Sequence, residues 1–242
     1  MHLAQRLVHE GYPVTVIESD DLKFEIVLLT TAIFATAALH IHAEYKEEKR
    51  LIYFLKPLAM LLIFVMDMYV LPEEFGWYHI ALLIGLLFSI GGDVALMWPS
   101  DKFLLGLVSF LTGHVFYISG FISGIVFDIS WYVWFPLLFL GSGMFFGLRT
   151  EMGKMQVPVL VYILVILVMS GMAWERHLQF DIPQTLFAAC GASLFLLSDA
   201  LLAWNRFRVE FKSAQLLVLG TYYAAQWALV LSLSQPTLFQ LR

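Results

Sequence analysis

Two aspartates, Asp93 and Asp199, stand inside long apolar stretches of this 242-residue chain. A carboxylate at the centre of a bilayer helix costs about 2.5–3.5 kcal/mol on permissive insertion scales, so such residues are kept for a use. Asp93 lies in Leu-Phe-Ser-Ile-Gly-Gly-Asp-Val-Ala-Leu-Met-Trp (87–98) and Asp199 in Leu-Phe-Leu-Leu-Ser-Asp-Ala-Leu-Leu-Ala-Trp (194–204). Each precedes a tryptophan by five residues, which at helical rise places it about 7–8 Å inside an interfacial aromatic belt. Two carboxyls that share a low-dielectric pocket divide protonation states: one can give a proton while the other stays charged.

Other polar side chains fall at comparable depth. Lys56 precedes Pro57 near the start of its helix, His114 and Tyr117 lie one turn apart, and so do Tyr222 and Gln226. Ser198 adjoins Asp199, and Asn205 and Arg206 follow just past the same helix. Turned inward, these faces make a polar pocket open to the cytoplasmic leaflet. Each also has a plain structural reading. Lys56 could snorkel, His114 and Tyr117 could satisfy each other, and Tyr222 and Tyr223 could be ordinary packing. The aspartates could be a hydrogen-bonded pair that locks the bundle. His40, His42 and His79 read as interfacial, and Asp67, on the outer half of its helix, reads as facing water or a partner. Gly85, Gly91, Gly92, Gly106 and Gly113 fit close helix packing, which also lets a ligand approach the backbone beside Asp93.

The elements that must carry these groups are membrane spans. The chain is 60% hydrophobic and 14% charged, against roughly 45–50% and 25% in soluble domains. Spans of about 20 apolar residues are expected at 24–42, 51–70, 78–98, 103–125, 131–148, 156–174, 184–204 and 213–234. The expected fold is all-α, one eight-helix transmembrane domain over 24–242. Residues 1–23 read as a polar N-terminal extension: they carry Glu10, Glu18, Asp20 and Asp21 and no apolar run of signal-peptide length. The first span is then expected to direct insertion. A net charge of −5 gives no basis for nucleic-acid binding. The single cysteine, Cys190, reads as a small core residue.

Basic residues set orientation. Nine (Lys46, Lys49, Arg50, Lys102, Arg149, Lys154, Arg206, Arg208 and Lys212) follow odd-numbered spans, and four (Arg6, Lys23, Arg176 and Arg242) lie opposite. Both termini are therefore expected outside, in a plasma or inner membrane. A shift of 106 positions places Gly85 on Gly191, Asp93 on Asp199, Leu96 on Leu202 and Trp98 on Trp204. That pattern suggests a four-plus-four parallel repeat.

Several motifs in order resemble the YhhN family of eight-span membrane proteins, which includes lysoplasmalogenases. They are Lys56-Pro57, Gly92-Asp93 followed by Leu96, and Gly106, Phe110, His114 and Tyr117 on one helix. Ser198-Asp199 with Asn205-Arg206-Phe207, and Thr221-Tyr222-Tyr223-Ala224-Ala225-Gln226, complete the set. The resemblance covers roughly 24–234. It implies a lysophospholipid substrate, the lysoplasmalogen, whose vinyl ether is hydrolysed to a fatty aldehyde and a glycerophospho-base.

That reaction suits the residues. Protonation of the alkenyl carbon beta to oxygen creates an oxocarbenium ion, water adds, and the hemiacetal collapses. Asp93 and Asp199 are expected to act as a dyad, one as acid and one as charged stabiliser of the cation, much as glycosidases divide the task. His114, Tyr117, Tyr222 and Gln226 would orient water or the glycerol hydroxyl. Lys56 and Arg206 would hold phosphate, and an ion pair from Lys56 to one aspartate would decide the acid assignment. The alkenyl chain would lie in a lateral apolar groove. No cofactor and no metal is expected, and a second copy of the chain is a candidate partner. Two other classes compete. A zinc-dependent amidase or esterase would use His114 and the aspartates, against a ligand set with one histidine at the right depth. A proton-coupled transporter would use the intramembrane carboxylates and the repeat.

Overall fold

A chain that crosses hydrocarbon must satisfy its backbone internally, and helices do so within each segment. The computed structural model describes residues 19–70, 76–98, 100 and 102–234. Among them are eight helices long and apolar enough to cross a membrane, and no strand. They are α1 (Ser19–Tyr45), α2 (Lys49–Val70), α3 (Trp77–Met97), α4 (Phe103–Phe121), α5 (Trp131–Leu148), α6 (Gln156–Phe180), α7 (Pro183–Phe207) and α8 (Ala214–Leu231). A short 3-10 turn, Gly153–Met155, leads into α6. The protein is an all-helical, integral multi-pass membrane protein.

Local chemistry sets the boundaries. Asp181 adopts a left-handed conformation (φ 45°, ψ 47°) that ends α6, and Pro183 opens α7 where its missing N–H costs nothing. Pro57 sits inside α2, so Lys56 lies in a continuous helix. Several helices run further than their hydrophobic stretches. The first begins at Ser19 rather than 24, α6 reaches Phe180, and α7 reaches Phe207, which places Asn205 and Arg206 in its last turn instead of beyond it. In the other direction, α4 stops at Phe121. Residues 1–18 of the polar extension lie outside the described residues.

Glycine sets how closely α3 and α4 approach. A Cβ at Gly92 would lie 2.6 Å from the Phe110 ring, one at Gly113 2.9 Å from the Gly85 carbonyl, and one at Gly85 inside the Tyr117 ring. The helices α7 and α8 make the corresponding close pair, tied where the Ser198 hydroxyl donates to the Val218 carbonyl (2.9 Å). By contrast α5 is peripheral, with Phe135 and Phe139 72% and 77% exposed. Its start is anchored by buried Glu175, which accepts from the Ser130 backbone N–H (2.7 Å), the Ser130 hydroxyl (2.9 Å) and the Trp134 indole (2.9 Å). Two expectations fail. Cys190 is exposed on the surface of α7, not in the core. Asp67 is buried at 1% exposure, because the face of α2 that carries it packs inward.

Candidate functional site

Asp93 and Asp199 open into one cavity at the end of the bundle that bears the basic loops. The cavity has a volume of about 540 Å³, and its polar lining includes Glu44, Lys56, Asp93, Asp199, Asn205 and Arg206. The two carboxyl groups have separate partners. Lys56 Nζ lies 3.0 Å from Asp93 Oδ1, with both side chains at least nine-tenths buried. The Tyr222 hydroxyl donates to Asp93 Oδ2 at 2.5 Å. Lys56 therefore does not snorkel; its ammonium is held in the bundle by a carboxylate, the arrangement that makes a buried charge tolerable.

Asp199 has a different shell. Its Oδ2 accepts from the Tyr162 hydroxyl and lies 3.4 Å from His114 Nε2. His114 and the Tyr162 hydroxyl are 2.9 Å apart. His114 is fully buried and bonds across to α6 and α7, not to Tyr117 on its own helix. The contacts from Tyr162 and His114 both fall on Oδ2, and Oδ1 carries neither.

The remaining expected residues divide. Ser198 and Asn205 line the cavity, yet each gives a polar atom to structure: Ser198 to the Val218 carbonyl, and Asn205 Oδ1 to the Phe211 N–H (3.1 Å). Arg206 lines the cavity with its guanidinium 3.9 Å from the Phe103 ring centroid. Tyr117 and Gln226 do not line it. They stand behind Tyr222, where the Tyr117 hydroxyl donates to Gln226 Oε1 (3.1 Å) and Gln226 Nε2 lies 3.5 Å from the Tyr222 oxygen.

A second, narrow apolar crevice of about 40 Å³ adjoins the first between α3, α4, α5, α6 and α7. The two share six wall residues: Leu96, Phe103, Phe110, Asp199, Leu202 and Phe207. Asp199 is the one ionisable residue among these six. The site is therefore amphipathic in character, with Leu107, Met144 and Ile163 on its apolar side and Lys56 and Arg206 on its polar side.

Tyr162, Glu44 and Asp67 were not singled out by spacing. Tyr162 is one tyrosine in an aliphatic run and pairs only with residues distant in sequence. Asp67 left a readable signal: it is eleven residues from Lys56, and eleven residues turn a helix through about 1100°, within about 20° of the same face. Among the described residues no group of three or more His, Cys, Asp or Glu side chains is placed to hold a metal ion.

The chain is similar to several known membrane proteins. The chain is 35% identical over 148 residues to lysoplasmalogenase TMEM86B of Mus musculus, covering 61% of this chain and 60% of that protein. It is 33% identical over 159 residues to lysoplasmalogenase TMEM86B of Homo sapiens, 65% of each. The match thus spans less than two thirds of these relatives' length. A protein of Escherichia coli O157:H7 named uncharacterized membrane protein YhhN is 25% identical over 202 residues, 84% of this chain and 96% of that one. No solved structure matches significantly. The YhhN family model matches residues 51–233, from the start of α2 through both aspartates to the end of α8, and the chain belongs to the YhhN family.

Proposed function

We propose that this protein is a membrane lysoplasmalogenase that hydrolyses the vinyl ether bond of lysoplasmalogens. The observation that carries the reading is the position of Asp199 at the seam between an apolar crevice and a polar cavity. A lysoplasmalogen has its reactive bond at the same seam, between an alkenyl chain and a glycerophosphate.

The two carboxyl environments suggest the roles. Asp93, held by Lys56 and Tyr222, is the ionised partner. Asp199 is the acid, with its proton on Oδ1, the oxygen not engaged by Tyr162 and His114. The C=C electron pair takes that proton at the carbon beta to oxygen, leaving an oxocarbenium ion and an Asp199 carboxylate. Tyr162 and His114 donate to the new carboxylate, which lowers the cost of the step. Asp93 faces the cation and orients a water. The water adds to the cationic carbon and its proton returns to Asp199. Collapse of the hemiacetal releases fatty aldehyde and the glycerophospho-alcohol. Lys56 and Arg206 supply positive charge for the phosphate. The cavity opens at the end bearing the basic loops, which the positive-inside rule assigns to the cytoplasmic leaflet.

The test is substrate discrimination by the purified protein in detergent. Aldehyde is expected from a vinyl-ether lysolipid and none from its saturated ether counterpart, which has no carbon that can accept the proton. Absence of aldehyde from folded protein given the vinyl ether would overturn the assignment. Uptake into proteoliposomes without cleavage would instead favour transport.

A further inference from the structure

Asp67 is a buried carboxyl that the proposed chemistry does not use. It is 1% exposed, and neither of its oxygens has a hydrogen-bond partner among the described residues. It lines a cavity of about 10 Å³, which is close to the volume one water requires. The polar members of that lining are Asp67, Tyr117 and Gln226, and the rest are aliphatic. Three polar partners suit one water, and they are too few for a desolvated cation.

The direction of the hydrogen bonds beyond this cavity is fixed from its far end. An ionised Asp93 can only accept, so Tyr222 donates to it. The Tyr222 oxygen is left to accept, so the Gln226 amide turns its Nε2 toward it. Gln226 Oε1 then faces Tyr117, which donates to it. The Tyr117 oxygen is the next acceptor in line; the Ser89 hydroxyl also approaches it, with its own proton on the Gly85 carbonyl (3.0 Å). Every bond points the same way, from the Asp67 cavity toward Asp93.

We propose that this cavity binds a single water and that Asp67, as a neutral carboxylic acid, donates to it and heads a one-way donor chain ending on Asp93. An isolated buried carboxylate sheds its charge rather than remain unpaired. Tyr117 on α4 is the one titratable group facing it, α3 presents Leu82 and Leu86, and α8 presents Gln226. Gln226 in the middle of the chain blocks proton hopping, since an amide does not readily pass a proton along, so the chain polarises and does not conduct. Asp67 is thus a positioning residue: it strengthens the Tyr222 donor that keeps Asp93 charged. This inference rests on the reading of Asp93 as the ionised partner. The charged or titratable groups around Asp93 are Lys56, Tyr222, Tyr223, and across the cavity Glu44, Asp199, Arg206 and Glu210.

Infrared spectroscopy of the purified full chain at neutral pH tests the protonation state without reference to catalysis. The wild type is expected to show a protonated-carboxyl carbonyl band that Asp67→Asn removes. A spectrum in which D67N removes no such band overturns the proposal. The pH profile of aldehyde release tests the chain. An asparagine still donates to the water, so D67N is expected to keep the wild-type profile. Asp67→Leu removes the donor and is expected to move the acidic limb upward by about half a pH unit, because the Asp93 anion loses support. If D67N alone abolishes turnover while D67L keeps the limb in place, Asp67 acts in another way and the proposal fails. A wild type that releases no aldehyde defeats the enzyme reading, and the infrared band still decides the state of Asp67.

Discussion

The Lys56–Asp93 pair gives a quantitative expectation. The 3.0 Å contact joins two side chains at 10% and 6% exposure, so water screens it weakly. Replacing Lys56 with Met keeps the length of the side chain and removes the ammonium, leaving the Asp93 carboxylate with Tyr222 as its one donor. Removing one partner of a buried pair costs about 3–5 kcal/mol, because the other charge is left uncompensated. Wetting from the cavity favours the low end. At about 3 kcal/mol the unfolding midpoint of a chain this size falls by about 6–12 °C. The double variant Lys56→Met/Asp93→Asn has no orphaned charge and is expected to regain most of that loss while releasing no aldehyde. The assay is thermal unfolding in detergent of the wild type, both single variants and the double variant, with aldehyde release measured on each. A coupling energy near zero, or a K56M protein as stable and as active as the wild type, would refute the claim that this ion pair holds the site.

Other expectations follow from the same geometry. Tyr162→Phe removes one charge-assisted donor to Asp199 and should slow turnover by about 10–100-fold with little change in fold, read as kcat on a saturating lysolipid. Ala203→Phe fills the apolar crevice and should raise KM for long-chain lysolipids far more than for short-chain ones; equal effects on both would remove the crevice as the tail site.

The spans were legible because a 20-residue apolar stretch has few alternatives in a chain this hydrophobic. Their ends were not, because helices such as α1 and α6 continue through the interface, where backbone hydrogen bonding outlasts the hydropathy signal. Asp93 and Asp199 stood out because charge is rare in such helices, and the ion pair from Lys56 was open to inspection by depth alone. Depth does not give rotation, however. Asp67 looks outward-facing by depth, although its eleven-residue spacing from Lys56 puts both on one face, and that face shares a small cavity with Tyr117 and Gln226. Tyr162 and His114 meet Asp199 from two other helices, a convergence set by tertiary packing and absent from local spacing. The four-plus-four similarity remains a feature of the sequence. The two aspartates it aligns have different partners, a lysine with one and a tyrosine–histidine pair with the other.

The central claim is that Asp199 delivers the proton, and aldehyde release by Asp199→Asn tests it most directly. The account predicts a folded protein that still binds lysolipid and has lost about 10²–10⁴-fold in kcat, the usual weight of a general acid. Wild-type turnover in D199N, with Asp93→Asn inactive, would contradict it and move the acid to the other carboxyl.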